Sequence, residues 1–366
     1  MKEETKHIIF SGGGTLGPVM PLVAVLQELR ARHSAWKFLW VGTTTGPERE
    51  VLECMGVRFV ALPPAKWRRY KSFKNITDLA ILSYDIFKSW RIIKHFQPDI
   101  LITAGGYVSL PLHIAGRVAR IPMLVHQEDV VPGLANRFMA RFATLVTVTF
   151  ERSASCFKKR RAVYIGNPVR AGLKAVGHAE APAHFGFSPA RKTIVVIGGG
   201  TGATRLNRLV AEALPVLGKI YNLLHVTGRG KAYWGNSQDI HHQSIAAHYK
   251  QFEFLDEREL GLAFAAADIV VTRAGLGTLS ELAVLGKPAM IVPIKNSHQE
   301  QNAEAFAGRG AAVLFEETGS YEDFARALQE ILNDDRELAL MAHNMKKIMP
   351  ANAREAFAVA VEELVK

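Results

Sequence analysis

HIIFSGGGTLGPVMPLVAVL, residues 7 to 26, decides how the chain is read. An apolar, strand-like run enters three glycines, and a helix-like pattern leaves them. That order is how a chain turns backbone amides toward a phosphate. Working outward, HIIFSG, KFLWVG, DILITAGG, MLVHQE and TLVTVTF are short strand-like runs separated by helical patterns such as VMPLVAVLQELRARH and SLPLHIAGRVAR. After YIGNPVR the pattern restarts with TIVVIGGGTGATRLNRLVAEAL, followed by YNLLHVTG, FEFLDE, DIVVTRAG, AMIVPI and AAVLFEE. Continuous apolar strands alternating with helices predict parallel sheets covered on both faces. The expected fold class is α/β, with two doubly wound Rossmann-like domains facing across a cleft. They would join near Gly166–Pro168 as 1–166 and 167–349, and the last helix, about 350–366, could return to the first domain. Ligands of such sheets bind at the carboxyl ends of the strands.

Composition narrows the classes. At 366 residues the chain exceeds one compact core and predicts two domains. Cys54 and Cys156 are its two cysteines, far apart and without metal-ligand spacing, which favours a reducing compartment over a disulfide framework. MKEETKHIIF lacks the apolar core of a signal peptide, and no apolar run reaches the ~20 residues of a spanning helix. The 45 Lys and Arg against 34 Asp and Glu give a net charge of +11, which favours a polyanion or an anionic membrane surface.

The two glycine turns do not specify a ligand by themselves. Gly12, Gly14 and Gly17 fit G-x-G-x-x-G, and Gly198, Gly200 and Ala203 fit its G/A variant. Either could be a purely structural tight turn. A nicotinamide site would want an acidic residue about 20 positions on; KFLWVGTTTG and YNLLHVTGRG lack it.

TRAGLGTLSELAVLGKPAMIVPIKNSHQEQNAEAF, residues 272 to 306, is more specific. It sets Gly275-Leu276-Gly277-Thr278 as a turn after the strand DIVV and Glu281 in the first turn of the next helix. A carboxylate there could accept hydrogen bonds from both hydroxyls of a ribose. The plain alternative is a complement to the helix dipole, worth ~0.3–1 kcal/mol. His298, Gln299 and Asn302 follow as a polar cluster at the same end of the sheet.

Together with PDILITAGGYVSLP, LVHQED, GNPVR and VVIGGGTGA, these motifs resemble the MurG family over nearly the whole chain. That family transfers N-acetylglucosamine from UDP-GlcNAc to lipid I, the undecaprenyl-diphosphate-linked muramyl-pentapeptide. The resemblance implies the GT-B glycosyltransferase fold and an inverting transfer with neither metal nor cofactor. Two helix N-termini facing the cleft would stabilise departing UDP. It also implies a peripheral protein on the cytoplasmic face of the bacterial cell membrane. For the donor, Arg170 would lie near the nucleoside, Phe254 and Leu255 would frame the uracil, and Glu281 would bind the ribose. Gly200, Thr201 and Gly202, with Leu276, Gly277 and Thr278, would hold the diphosphate, and Arg273 would support that turn. Gln299 and His298 would read the sugar, with Asn302 beside them. For the acceptor, Gly13, Gly14, Thr15 and Gly17 would face its diphosphate, near Gly105, Gly106 and Tyr107.

Three departures stand out. The family's GGTGGH reads Gly13-Gly14-Thr15-Leu16-Gly17-Pro18, so its histidine is replaced by a proline that the first turn of a helix tolerates. HEQN reads His126-Gln127-Glu128-Asp129, and Gly200-Thr201 stand for Ser-Gln. An inverting transfer still needs a base, and a carboxylate can serve. The catalytic candidates are Asp129 first, then Glu128, with His126 beside them. The alternative for Asp129 is to cap a helix beginning near Val131-Pro132-Gly133.

Lys66, Trp67, Arg68, Arg69, Lys71, Phe73 and Lys74 mix cations with aromatics and contain no acid, a composition suited to anionic headgroups. No nucleic-acid-binding module accompanies them. The stripe of Leu79, Leu82, Ile86, Trp90 and Ile93 that follows reads as core. Two other functions fit the same motifs: a UDP-sugar transferase with a different acceptor, or a non-catalytic relative that binds UDP-sugar or membrane.

Overall fold

The computed structural model describes residues 4–63, 74–157, 161–174, 181–199, 203–232 and 247–366. The two strand series form two all-parallel sheets, each within its own compact unit. The first unit is Met1–Arg170 with Asn352–Lys366. Its strands are β1 (His7–Ser11), β2 (Lys37–Thr43), β3 (Arg58–Leu62), β4 (Ile100–Thr103), β5 (Met123–Gln127), β6 (Leu145–Val148) and β7 (Ala162–Tyr164). They run in the order β3-β2-β1-β4-β5-β6-β7. The direction of winding therefore reverses between β1 and β4, where such a sheet opens a crevice at its carboxyl end. Ser11 pairs with Thr103, so the turns that follow these two strands start side by side.

Burial explains why both faces are covered. Ile8, Ile9 and Phe10 of β1 and Ile100, Leu101 and Ile102 of β4 are fully buried, as a doubly covered sheet requires. The helix Met20–Arg32 lays Leu22, Val25, Leu26 and Leu29 on one face with Phe10 and Trp40. Phe357, Ala358 and Val361 of the final helix, Ala353–Leu364, complete this cluster. Glu362 reaches His33 Nε2 at 2.9 Å. Val19 is the N-cap of helix Met20–Arg32, so Pro18 precedes the helix rather than sitting in its first turn.

One helix turns a different face inward than its apolar spacing predicts. Lys74–Phe96 packs against Ser109–Val118, burying Ile93 and Phe96 with Leu112, and it also buries Asp85 and Ser89. Trp90 is 41 % exposed, beside Tyr84 at 58 % and Phe87 at 56 %. Of the stripe assigned to the core, Trp90 is exposed, Leu82 and Ile86 are half-buried and Ile93 is buried; the side chain of Leu79 lies outside the description. Asp85, Ser89 and Ile93, spaced by four, lie on the inward face. Of the basic-aromatic segment, Lys66, Trp67, Arg68, Arg69, Lys71 and Phe73 lie outside the described residues, and Lys74 opens the helix. Among the described residues, no helix is long and apolar enough to cross a membrane.

The second unit, Ala171–Ala351, repeats the plan. β8 (Thr193–Ile197), β9 (Asn222–Val226), β10 (Tyr249–Phe252), β11 (Ile269–Thr272), β12 (Ala289–Ile291) and β13 (Ala312–Leu314) run in the order β10-β9-β8-β11-β12-β13. The reversal falls between β8 and β11. Helices Thr204–Leu217 and Leu276–Leu285 start beyond these two strands. Leu206, Val210 and Leu214 pack with Phe324 and Leu328 to close one face.

Candidate active site

At the switch point of the first sheet, the glycine turn is wrapped around an acid. Glu48, fully buried at the start of helix Glu48–Cys54, accepts from Thr43 N–H at 2.6 Å and from the Thr43 hydroxyl at 2.5 Å. Its other oxygen accepts from Gly14 N–H at 3.1 Å. A Cβ on Gly13 or Gly46 would overlap this carboxyl group. Gly14 itself has φ +87°, open to glycine at little cost. The expectation that Gly13 and Gly14 face a diphosphate is therefore altered, because the Gly14 amide is already committed. Thr15 is exposed, and Gly17 lies near Glu128: a Cβ there would be 3.7 Å from Thr15 Oγ1 and 3.9 Å from Glu128 Oε2.

The turn after β4 meets the first one. A Cβ on Gly106 would lie 3.3 Å from the Gly13 carbonyl oxygen, and one on Gly105 would lie 2.9 Å from Asn136 Oδ1. Both glycines have positive φ, +92° at Gly106 and +122° at Gly105. The Thr103 hydroxyl accepts from Gly105 N–H and donates to Ser109 Oγ, each at 2.9 Å, which fixes the turn. Tyr107 is 46 % exposed at its edge.

β5 brings the acidic motif to the same place. His126 is fully buried, 2.9 Å from Asn167 Oδ1 through Nε2 and 2.9 Å from Thr147 Oγ1 through Nδ1. An amide oxygen only accepts, so Nε2 carries the proton and Nδ1 accepts from the threonine. Burial pushes the imidazole down to about 4, against a smaller opposing effect of Asn167, so His126 is neutral at pH 7. Glu128 is 7 % exposed. Burial raises its carboxyl well above the usual range, the charge of Asp129 adds to this, and a long 3.5 Å contact from Asn167 Nδ2 opposes it. Asp129 is half-buried and does not cap the next helix. That helix starts at Leu134, with Gly133 as N-cap and no side-chain cap.

Asn136 and Asn167, both buried, tie these pieces together, and neither was singled out from the sequence. Asn136 Nδ2 donates to Gln127 Oε1 at 2.8 Å and to the His126 carbonyl at 3.1 Å. Asn167 lies within GNPVR, so that motif held a signal. Asn136 sits among ordinary helix residues and offered none.

In the second unit the corresponding turn is built differently. Gly275 is the N-cap of helix Leu276–Leu285, so Leu276, Gly277 and Thr278 form its first turn rather than a loop. Their N–H groups belong to the set that lacks intrahelical acceptors. A Cβ on Gly275 or Gly277 would meet nothing within 4 Å, and neither residue has positive φ. Glu281 is buried in the second turn, not the first, which removes its reading as a dipole complement. Arg273, also buried, donates to the Val292 carbonyl at 3.0 Å and pairs with Glu317.

Helix His298–Ala307 starts from Ser297, whose hydroxyl accepts from Gln299 N–H. Asn302 does not point outward with its neighbours. It is fully buried, and its Nδ2 donates to the Ala274 carbonyl at 3.2 Å, tying this helix to the Arg273–Gly275 turn. Gln299 Oε1 accepts from Ile294 N–H at 3.2 Å, while His298 is exposed. Phe254 is 53 % exposed with the Arg229 guanidinium 5.1 Å from its ring centroid, and Leu255 is buried. Arg170 is half-buried at the end of the first unit. Gly200, Thr201 and Gly202 lie outside the described residues.

Two all-parallel, doubly wound sheets with glycine turns at their switch points are the architecture of the GT-B fold. Comparison with known proteins agrees. The glycosyltransferase family 28 N-terminal domain matches residues 8–148, and the family 28 C-terminal domain matches residues 193–363. A Bacillus cereus protein named UDP-N-acetylglucosamine–N-acetylmuramyl-(pentapeptide) pyrophosphoryl-undecaprenol N-acetylglucosamine transferase 2 is 32 % identical over 98 % of this chain and 99 % of its own. A Bacillus subtilis transferase of the same name, without the numeral, is 29 % identical over 98 % of this chain and 100 % of its own. The crystal structure of Acinetobacter baumannii MurG superposes with a TM-score of 0.74 at 23 % identity, covering 98 % of this chain and 99 % of that one. The chain belongs to the MurG family within glycosyltransferase family 28.

Proposed function

We propose that this protein transfers N-acetylglucosamine from UDP-GlcNAc to lipid I, with inversion and without a metal ion, and so makes lipid II for peptidoglycan. The near full-length identity to transferases of that name supports the substrates. The single structural observation that carries the reading is the position of Glu128, a buried carboxyl group beside Gly17, next in sequence to Pro18, which stands where the family has its histidine.

Glu128 is preferred to Asp129 as the base. A base must reach the acceptor hydroxyl, and its pKa should approach the working pH. Burial moves Glu128 toward that range. Neutral His126 acts through Asn167 to orient the carboxyl group. On the donor side, the first turn of helix Leu276–Leu285 supplies N–H groups for the diphosphate of departing UDP, and the open space above Gly277 lets it approach. Glu281 would accept from the ribose hydroxyls.

The acceptor carries a long lipid, and the exposed face of helix Lys74–Phe96 suits a membrane surface. Phe87 and Trp90 stack at 6.2 Å, and Lys94 Nζ lies 5.9 Å from the Trp90 centroid, with Arg91 exposed nearby. Aromatics with cations favour anionic headgroups, at ~1 kcal/mol per basic residue. Docking would be peripheral, on the cytoplasmic face. Cosedimentation with anionic vesicles at low salt tests this, and no binding would refute it.

Incubation with UDP-GlcNAc and a short-chain lipid I analogue tests the reaction; disaccharide and UDP should form together. Leu16 and Pro18 favour a second reading, a different acceptor, to which UDP release without disaccharide would point.

A further inference from the structure

Glu48 is a buried acid beside the acceptor turn that the reaction above leaves without a task. Its three donors come from two places: Thr43 N–H and hydroxyl at the end of β2, and Gly14 N–H in the turn after β1. Around it, side chains have been removed. Gly13 and Gly46 could carry no Cβ without overlapping its carboxyl group, and a Cβ on Gly42 would come within 3.1 Å of its Cγ. Gly13 has no left-handed φ, so its own backbone would tolerate alanine. The requirement for glycine there comes from Glu48.

This arrangement has an electrostatic consequence. A carboxylate filling the inner side of the turn repels a second anion there, and it has consumed the Gly14 amide. The N–H groups of Thr15, Leu16 and Gly17 donate to no acceptor among the described residues. We propose that Glu48 is a positioning residue that braces the turn from beneath and directs a lipid-linked diphosphate onto the amides of Thr15 to Gly17. The inference rests on the acceptor reading above.

Glu48→Gln is the direct test. Glutamine keeps the size and can still accept from Thr43 through Oε1, but its amide nitrogen would oppose the Gly14 N–H donor. The KM for the lipid I analogue should rise about tenfold or more, as loss of one charge-assisted hydrogen bond implies. The KM for UDP-GlcNAc should stay within about twofold, because that site is built from other elements. Binding of farnesyl diphosphate, measured by calorimetry without donor, should weaken in parallel. Gly13→Ala should do the same in the native background and add nothing to Glu48→Ala, which also covers the case in which the glutamine variant folds poorly.

Equal changes in both KM values, or no change in either, would overturn the inference. So would a native protein that binds no farnesyl diphosphate. A native protein that binds it, loses binding on Glu48→Gln and yet forms no disaccharide would leave Glu48 in its role and refute the reaction instead.

Discussion

The turns after β1 and β11 read alike in the sequence and are built on opposite principles. The first closes around Glu48, and its glycines make room for a side chain of the same unit. The second opens straight into a helix, and a Cβ at Gly275 or Gly277 would touch nothing. A glycine can therefore serve the interior or an incoming group, and its spacing does not say which. The acids differ as well. Glu128 rests beside the first turn with a raised pKa, whereas Glu281 is carried on the helix the second turn begins.

The largest effect should come from Glu128→Gln. As the base, its loss should lower kcat by ~10²–10⁴ while the KM for UDP-GlcNAc holds. Stability should move the other way at high pH. The folded carboxyl keeps its proton at pH values where the unfolded one, near ~4.3, has lost it, so the native protein loses stability as pH rises through that window. The glutamine variant escapes this and should melt higher than the native protein at alkaline pH. Unchanged turnover would move the base to Asp129 or elsewhere.

Acid should destabilise both units by one mechanism. His126 and His113 in the first and His225 in the second are each held down to about 4, chiefly by burial. Unfolded imidazoles bind protons from ~6.5 downward, so stability should fall as pH drops from there to about 4. Each histidine would cost up to ~3 kcal/mol. A melting temperature that stays flat across this range would contradict the buried neutral assignments.

Alanine at the two turns sharpens the contrast directly. Gly13→Ala must displace Glu48 and should cost ~1–3 kcal/mol in chemical denaturation, as overpacking does. Gly277→Ala should leave stability within ~0.5 kcal/mol yet raise the KM for UDP-GlcNAc. Equal stability losses would erase the distinction. The smallest effect is at the surface. Phe87→Ala should weaken vesicle binding without a measurable change in melting temperature or in turnover of a short-chain, water-soluble acceptor.

Much of this was legible in the sequence. The alternation of apolar runs with helical spacing predicted two parallel sheets, since those periods express local geometry. HIIFSGGG and DIVVTRAGLG marked the carboxyl ends of β1 and β11, because a strand running into glycine ends there. GNPVR and HQEQNA carried the family resemblance. Three expectations turn on one cause: Asp129 as a possible cap, Asn302 in a polar cluster with His298 and Gln299, and Trp90 as core. In each case the outcome depends on what packs against the residue. Gly133 supplied the cap, the Ala274 carbonyl drew Asn302 inward, and helix Ser109–Val118 favoured the face carrying Asp85, Ser89 and Ile93.

The sequence by itself determined the elements, their order and where the strands end, because backbone propensity and side-chain period act over a few residues. Only the tertiary structure decided which polar groups meet. Glu48 lies 34 residues from Gly14, and His126 lies 41 from Asn167. Strand order brings them together: β1 lies beside β2, while β5, β6 and β7 are consecutive neighbours. Burial then sets the chemistry, because shielding from water disfavours the charged forms, raising the pKa of a carboxyl group and lowering that of an imidazole.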